Sequence, residues 1–425
     1  MKQISFIICI LYLYLYGQDT LWLRRFDRGK DEYGGDITLD KEGNYLIAGC
    51  SENPVPPYQR DILLIKYTPN GDTIWTKYYD DNERELAMAV AIDQDGNIVV
   101  AGGSGNDTIE RQCLLVKFSE EGNLLWKREY RIRDIDSYTD VAIDSDNNII
   151  LTGTSYTYSG GGNHIGFLQK YDRDGNLIWT RFYNWADCFE GIVILPNDNF
   201  IVTGADSSWG MLTVCFNLSG DTIWTRRFFW RGQSTFGAKV ALDSFGNIII
   251  VGHTTNWSNY DGVIIKYTQN GDTVWTRQFD FTPVDLLGGV ATDAFGNIYV
   301  SGGVGRLDTF DYLLMKLTPL GEPIWRRFYD NGDDDACWGV VVDVENNPII
   351  TGYSSNGVDY DIVTIKYYGA PGIEEKVKKK ILFTSENKAK EVYDITGKRI
   401  KDLRRMKKGV YFFKDKYFKK VIILN

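Results

Sequence analysis

Hydrophobic positions along this chain come in short runs of four to seven residues, separated by clusters of Gly, Asn, Asp and Ser. Few stretches show the 3.6-residue rhythm of a helix; the runs read as β-strands bounded by tight turns. In one representative unit, GAKVALD ends at Asp243, the turn S-F-G-N follows, and IIIVG is nearly all apolar. A variable loop leads to DGVIIKY, and the turn T-Q-N-G-D leads to TVWTRQF. That is four strands, here named A to D. The continuous apolar character of B and C predicts a sheet covered on both faces. The Gly, Ala and Val of A suit a crowded innermost position. Each D-x-x-G-N turn has a local cause: a residue that tolerates positive φ, and an Asp that can accept turn amides.

Two markers show how often the unit recurs. Trp22, Trp75, Trp126, Trp179, Trp224, Trp275 and Trp325 each follow an apolar residue. Each has a basic residue two positions on and an aromatic two further. An Asn precedes an apolar run at Asn44, Asn97, Asn148, Asn199, Asn247, Asn297 and Asn347. Both markers repeat every 45 to 53 residues and stay in phase. Seven units of this length, built from strands, predict an all-β, seven-bladed β-propeller of four-stranded blades. The last unit lacks a Trp strand after DIVTIKY, and one stands alone at the front, DTLWLRRF. Pairing Asp19–Phe26 with Asp361–Tyr367 closes the ring and removes its open edges. The repeated Trp are expected as packing between blades, with the following basic residue stacked on a ring. The turn Asp recurs at Asp40, Asp93, Asp144, Asp243, Asp293 and Asp343; the fourth unit has Leu195 instead.

Alternating strand direction places the A–B and C–D turns on one face and the longer, variable B–C and D–A loops on the other. Variable loops on a rigid scaffold are where binding residues gather. The five Trp outside the marker are expected there: Trp209 and Trp257 in B–C loops, Trp185, Trp230 and Trp338 in D–A loops. Tyr156, Tyr158, Tyr260 and Tyr360 accompany them, with Asp187, Glu190, Asp206, Asp261, Asp285, Asp333, Asp334 and Asp335. Aromatic faces beside carboxylates suit a sugar ring or a protein surface. The alternative is that these rings simply cover loop bases.

Composition narrows the function. Of 425 residues, 43% are hydrophobic and 14% aromatic, which excludes a largely disordered chain. From Ile373 onward there are 17 Lys and Arg against 7 Asp and Glu. The whole chain carries 47 against 57, a formal net charge of −10, so the part before Ile373 holds 30 against 50, a net of −20. An acidic body argues against nucleic acid as a partner. Met1–Gly17 reads as a signal peptide: Lys2, an apolar run from Ile4 to Tyr16, then small Gly17. Residues 18–369 form the propeller and 370–425 a short basic β tail; no transmembrane helix is expected in the mature chain.

Chemistry is sparsely signalled. His164 and His253 are the two histidines, and no G-x-S-x-G, H-E-x-x-H or phosphate-binding glycine motif occurs. No motif asks for a cofactor or metal; a quinone-dependent propeller is a third reading. A calcium loop reading of D-x-D-G-N (Asp93 with Asp95, Asp172 with Asp174) lacks the distal bidentate Glu. Cys9 falls in the signal peptide; Cys50, Cys113, Cys188, Cys215 and Cys337 lack metal-ligand spacing and read as unpaired, although Cys188 with Cys337 is a conceivable disulfide.

The segments YDGVIIKYTQNGDTVWTRQFD and GGVATDAFGNIYVSGG resemble the β-propeller repeat of secreted bacterial proteins, over about Asp19 to Tyr368. That resemblance implies an extracellular propeller. The turn Gly71–Trp75 is similar to the Asp-box of sialidases but one residue longer, and no arginine cluster of that family can be placed. From Gly372, GIEE, VYDITGKRIK, KKGVYFF and KKVIIL resemble, in order, the type A sorting domain of type IX secretion. This implies outer-membrane export by that machinery and attachment at the cell surface. The expectation is therefore a secreted or cell-surface binding or scaffold protein for glycan or protein. The alternative is a polysaccharide hydrolase or lyase using acids of the same face.

Overall fold

The computed structural model describes residues 20–53, 59–81, 83–106, 110–157, 163–256, 259–306 and 309–369, and the strands 391–394, 409–414 and 418–423. The chain divides into two compact units, Met1–Gly369 and Ala370–Asn425. Met1–Gly17, Tyr158 and Trp257 lie outside the described residues.

The first unit is a ring of seven four-stranded antiparallel blades. Blade 1 is Glu32–Leu39, Tyr45–Glu52, Arg60–Tyr67 and Thr73–Tyr79. Five further blades repeat it, opening at Glu85, Ile135, Ala186, Ser234 and Val284. Blade 7 is Asp335–Val342, Pro348–Ser355 and Tyr360–Tyr367, completed by Thr20–Phe26 from the front of the chain. The register Trp22↔Lys366, Arg24↔Thr364, Phe26↔Ile362 carries that closure. Inner strands begin earlier than their apolar pattern suggested: in blade 5, strand A starts at Ser234 rather than Gly237. No helix among the described residues is long and apolar enough to cross a membrane.

The core is divided among the junctions. Seven apolar clusters lie between consecutive blades, such as Leu46, Leu64, Val100 and Val116 between blades 1 and 2. The marker Trp are wedged there. The Trp224 ring crowds the glycine of the next blade's turn: a Cβ on Gly271 would lie 3.0 Å from it. Arg226 stacks on that Trp at 5.2 Å and donates from Nε to the Gly271 carbonyl at 2.7 Å. Arg24 and Arg128 make the same pair of contacts. The residue before each Trp faces outward instead; Leu21, Ile74, Leu125, Ile178, Ile223, Val274 and Ile324 form an exposed apolar rim.

A second repeated device was not read from sequence. In each blade but the fourth, the turn Asp meets a strand-C Lys. The distances are 2.9 Å for Asp40–Lys66, 2.8 Å for Asp93–Lys117 and Asp144–Lys170, 2.6 Å for Asp243–Lys266, 3.6 Å for Asp293–Lys316 and 2.9 Å for Asp343–Lys366. Blade 4 replaces both partners together, with Leu195 and Cys215 in one apolar cluster. Among the described residues, Cys50, Cys113, Cys188, Cys215 and Cys337 form no disulfide, Cys188 and Cys337 sitting in different blades.

In the second unit, Glu391–Asp394, Gly409–Lys414 and Phe418–Ile423 form a three-stranded antiparallel sheet. Their register runs Val392↔Phe413 and Tyr411↔Val421.

Candidate functional site

Every inner strand carries a β-bulge at one equivalent place. The register shifts fall between Gly34 and Asp36, Ala87 and Ala89, Tyr138 and Asp140, Phe189 and Gly191, Gly237 and Lys239, Leu287 and Gly289, and Cys337 and Gly339. A bulge leaves one residue out of the ladder and re-aims it. The seven bulged residues are Gly35, Met88, Thr139, Glu190, Ala238, Gly288 and Trp338. All seven line one axial cavity of about 640 Å³, within the usual range for small-ligand sites. Its other lining residues, including Tyr33, Arg60, His253 and Tyr353, lie near the starts of A and C and the ends of B. The mouth therefore opens on the variable-loop face.

The walls are mainly apolar, but the next ring position is charged in alternate blades. Asp36, Asp140 and Lys239 occupy it in blades 1, 3 and 5, whereas the other blades have Ala or Gly. Lys239 Nζ stands 2.9 Å from Asp140 Oδ1. Asp140 also accepts the Ile192 N–H at 3.0 Å, and Asp36 accepts the Val90 N–H at 3.1 Å, so each acid ties its blade to the next. Burial alone would lower the Lys239 ammonium; the fields of Asp140, Asp36 and Glu190 more than reverse this, and its pKa is raised. Burial pushes the Glu190 carboxyl up to about 7, against the pull of Cys188 and Lys239. Asp36 is likewise raised by burial, with Lys239 opposing. The cavity thus offers aromatic surface, two cations in Lys239 and Arg60, and an acid poised near neutrality.

The aromatic surroundings connect several residues singled out from sequence. Trp338 lies within inner strand Asp335–Val342, not in a D–A loop; as a bulged residue it faces the axis against Gly288. Tyr360 packs 5.3 Å from both Tyr33 and Tyr353 of the cavity wall. Trp209 meets Phe236 edge-on at 5.6 Å, Phe236 stacks on His253 at 5.1 Å, and His253 neighbours Tyr260 at 5.7 Å. Burial lowers His253 to about 4, so its imidazole is neutral at pH 7. Trp209 is 44% exposed at φ 63°, in a B–C turn bonded like the A–B turns Asp40–Asn44 and Asp243–Asn247, which carry glycine at that place. A bulky residue held in that region costs of order 1–3 kcal/mol, and such strain gathers at functional places.

The remaining residues are engaged elsewhere. Trp185 packs against Tyr183 and Phe189 in the blade 3–4 cluster. Trp230 lies beside Phe228 under Arg231. Tyr156 pairs with His164 at 4.5 Å. Asp206 is buried, accepts the Ser208 and Gly210 amides at 2.9 Å and pairs with Arg227 at 3.1 Å. Asp261 is buried and accepts from Asn259 and Gln278. Asp187 lies near His164, its pKa raised by burial. Asp333 accepts the Ser355 hydroxyl and Asp334 the Phe310 amide. Asp93 and Asp172 use their carboxylates on their own turn amides.

No family model matches the chain. It is 24% identical over 153 residues to an uncharacterized WD repeat-containing protein of Acanthamoeba polyphaga mimivirus, covering 28% of this chain and 11% of that protein. The chain thus spans about a tenth of that relative. Among solved structures it is similar to the WD40 β-propeller domain of Doa1, with TM-score 0.54 and 11% identity over 83% of this chain and 97% of the other. It is also similar to puromycin hydrolase, with TM-score 0.54 and 12% identity over 91% of this chain and 58% of the other. The likeness is one of fold alone. These matches support a β-propeller and leave ligand and chemistry to the site itself.

Proposed function

We propose that this protein is a binding module, exported to the cell surface, that takes a glycan into the mouth of its axial cavity. The observation that carries this reading is the ring of bulged residues around that cavity. Seven equivalent positions converge there, and three of them hold large or charged side chains: Met88, Glu190 and Trp338. Trp338 and the tyrosines give flat apolar faces for a sugar ring. Lys239, Arg60 and Glu190 supply donors and acceptors for hydroxyls or an acidic sugar. Export rests on the Met1–Gly17 leader and on the tail's similarity to a type IX sorting domain.

The test is a glycan array with wild type, Trp338→Ala and Trp209→Gly, each also melted thermally. Loss of binding by Trp338→Ala with an unchanged melting temperature is expected. Trp209→Gly is expected to melt no lower than wild type, since glycine relieves the left-handed backbone. A protein-only ligand, or glycan binding indifferent to Trp338, would overturn the reading; turnover of the bound polysaccharide would make the site a hydrolase or lyase. Deleting residues 370–425 is expected to trap the protein in the periplasm of a type IX-competent host. Equal surface display without the tail would contradict the export route.

A further inference from the structure

At four junctions the variable face gathers three carboxylates from three separate strands. One opens strand C, one follows strand D, and one opens strand A of the next blade. The sets are Asp61–Asp80–Glu85, Asp261–Asp280–Asp285, Asp311–Asp330–Asp335 and Asp361–Asp27–Glu32, each with one oxygen per residue within 4.8 Å of the others. Acid clusters of this kind mean little unless their charge is left uncompensated. Three of the four have visible donors, and in two of these a single buried oxygen, Asp361 Oδ1 or Asp335 Oδ1, is left without one. Arg25 forms an ion pair with Asp361, and Glu32 accepts the Arg28 N–H and the Ser51 hydroxyl. Asp285 accepts the Phe281 and Thr282 amides and the Thr282 hydroxyl, while Asp261 has Asn259 and Gln278. Asp335 accepts the Asn331 amide and Asp330 that of Gly332.

The junction of blades 1 and 2 differs. Glu85 is 1% exposed, and neither of its carboxylate oxygens has a hydrogen-bond partner. The Glu83 backbone amide is near enough to favour the charged carboxylate slightly, but falls outside hydrogen-bond geometry. Asp61 is 4% exposed, and its Oδ1 is also without a partner. Three buried acceptor atoms thus converge with Asp80 and lack donors. Leaving a buried carboxylate oxygen unmatched costs at least what a lost charged hydrogen bond costs, so such a group takes up either a proton or a bound cation. The counterpart of Arg25, three residues after the marker Trp, is Tyr78 in this blade; the nearby cation is Arg28, which stacks on the Tyr78 ring at 4.4 Å and only opposes, through its field, the rise that burial imposes on Asp61. We propose that Asp61, Asp80 and Glu85 form a calcium site at the junction of blades 1 and 2. Calcium binds oxygen at 2.3–2.6 Å, so ligands on one ion lie up to about 5 Å apart, matching the spread of this triad. Two ligands are buried and Asp80 is exposed, which leaves the remaining coordination positions to water. The ion would pin strand C of blade 1 to strand A of blade 2 beside the ligand-binding face.

The test is calcium titration of the chelator-treated full chain by calorimetry, with thermal melts alongside. Wild type is expected to show a saturable calcium site and a higher melting temperature with calcium, while magnesium binds at least about tenfold more weakly. Glu85→Gln and Asp61→Asn are expected to weaken calcium binding at least about tenfold. Should either fail to fold, the exposed Asp80→Asn serves instead, with the same direction expected. Asp361→Asn, at the arginine-paired junction, is expected to leave the titration unchanged. Absence of binding up to about 10 mM calcium, or binding indifferent to Glu85, Asp61 and Asp80, would overturn the proposal.

Discussion

At the scale of single residues, the chain performs its own double-mutant experiment. Six blades hold a buried Asp–Lys pair, and the fourth replaces both members with Leu195 and Cys215. Lys117 illustrates the pair: its ammonium meets Asp93 and also donates to the Arg173 carbonyl of the next blade. Burial alone would raise Asp93; Lys117 and the Asn97 donors more than reverse that, and its pKa is lowered. Removing one partner strands a charge, whereas replacing both by apolar groups need not. Lys117→Met is therefore expected to cost about 3–5 kcal/mol in denaturant unfolding. The double change Asp93→Leu with Lys117→Cys, copying blade 4, is expected to cost clearly less. A double variant at least as damaged as the single one would contradict this account. Glu190 makes the opposite kind of contribution. Its folded pKa of about 7 lies above its usual 4.5, so the folded state binds the proton more tightly. Stability from this group is present below about pH 4.5 and is lost as pH rises through 7. Wild type is expected to lose up to about 3 kcal/mol relative to Glu190→Gln across that window, read from unfolding curves at pH 4.5 and 8. A pH-independent difference would show that Lys239 holds Glu190 ionised in spite of burial and the Asp140 charge.

At the scale of elements, the strands and turns were legible because their causes are local. Alternating apolar runs, D-x-x-G-N and the marker Trp each act within a few residues. The cavity was not, because its wall depends on where seven inner strands bulge. Asp36, Asp140 and Lys239 are far apart in sequence and meet only when the ring forms. One signal was present: each stands four residues before the A–B turn residue, where the other blades have Ala or Gly. Trp338, expected in a D–A loop, lies inside the strand because Asp335 opens it, buried and accepting the Asn331 amide. The C–D turns offer a test of packing between neighbouring blades. Gly271, in a C–D turn, and Gly232, in a D–A loop, both have φ of 79°, but only Gly271 lies under a Trp ring. Gly232→Ala is expected to cost about 1–2 kcal/mol from backbone strain. Gly271→Ala is expected to cost more, because Trp224 and Arg226 must also shift. Equal losses of melting temperature would mean the Trp wedge does not hold the turn.

At the scale of the whole molecule, one strand from the front of the chain decides whether seven sheets become a ring. Thr20–Phe26 supplies strand D of blade 7, and Trp22 joins the apolar cluster shared by blades 7 and 1. Trp22 Nε1 and Lys366 Nζ donate to the same Pro69 carbonyl, at 3.1 Å each, across that junction. The axial cavity, with Lys239 facing acids from other blades, exists only if the ring is shut. The most direct test is therefore denaturant unfolding of three chains: wild type, one lacking Thr20–Phe26, and one in which that segment follows Tyr367 through a copy of the T-Q-N-G-D turn. The closed ring predicts loss of stability and cooperativity on deletion, and recovery of both when the strand returns at the other end. A deleted chain that unfolds as cooperatively and at the same denaturant concentration as wild type would contradict it.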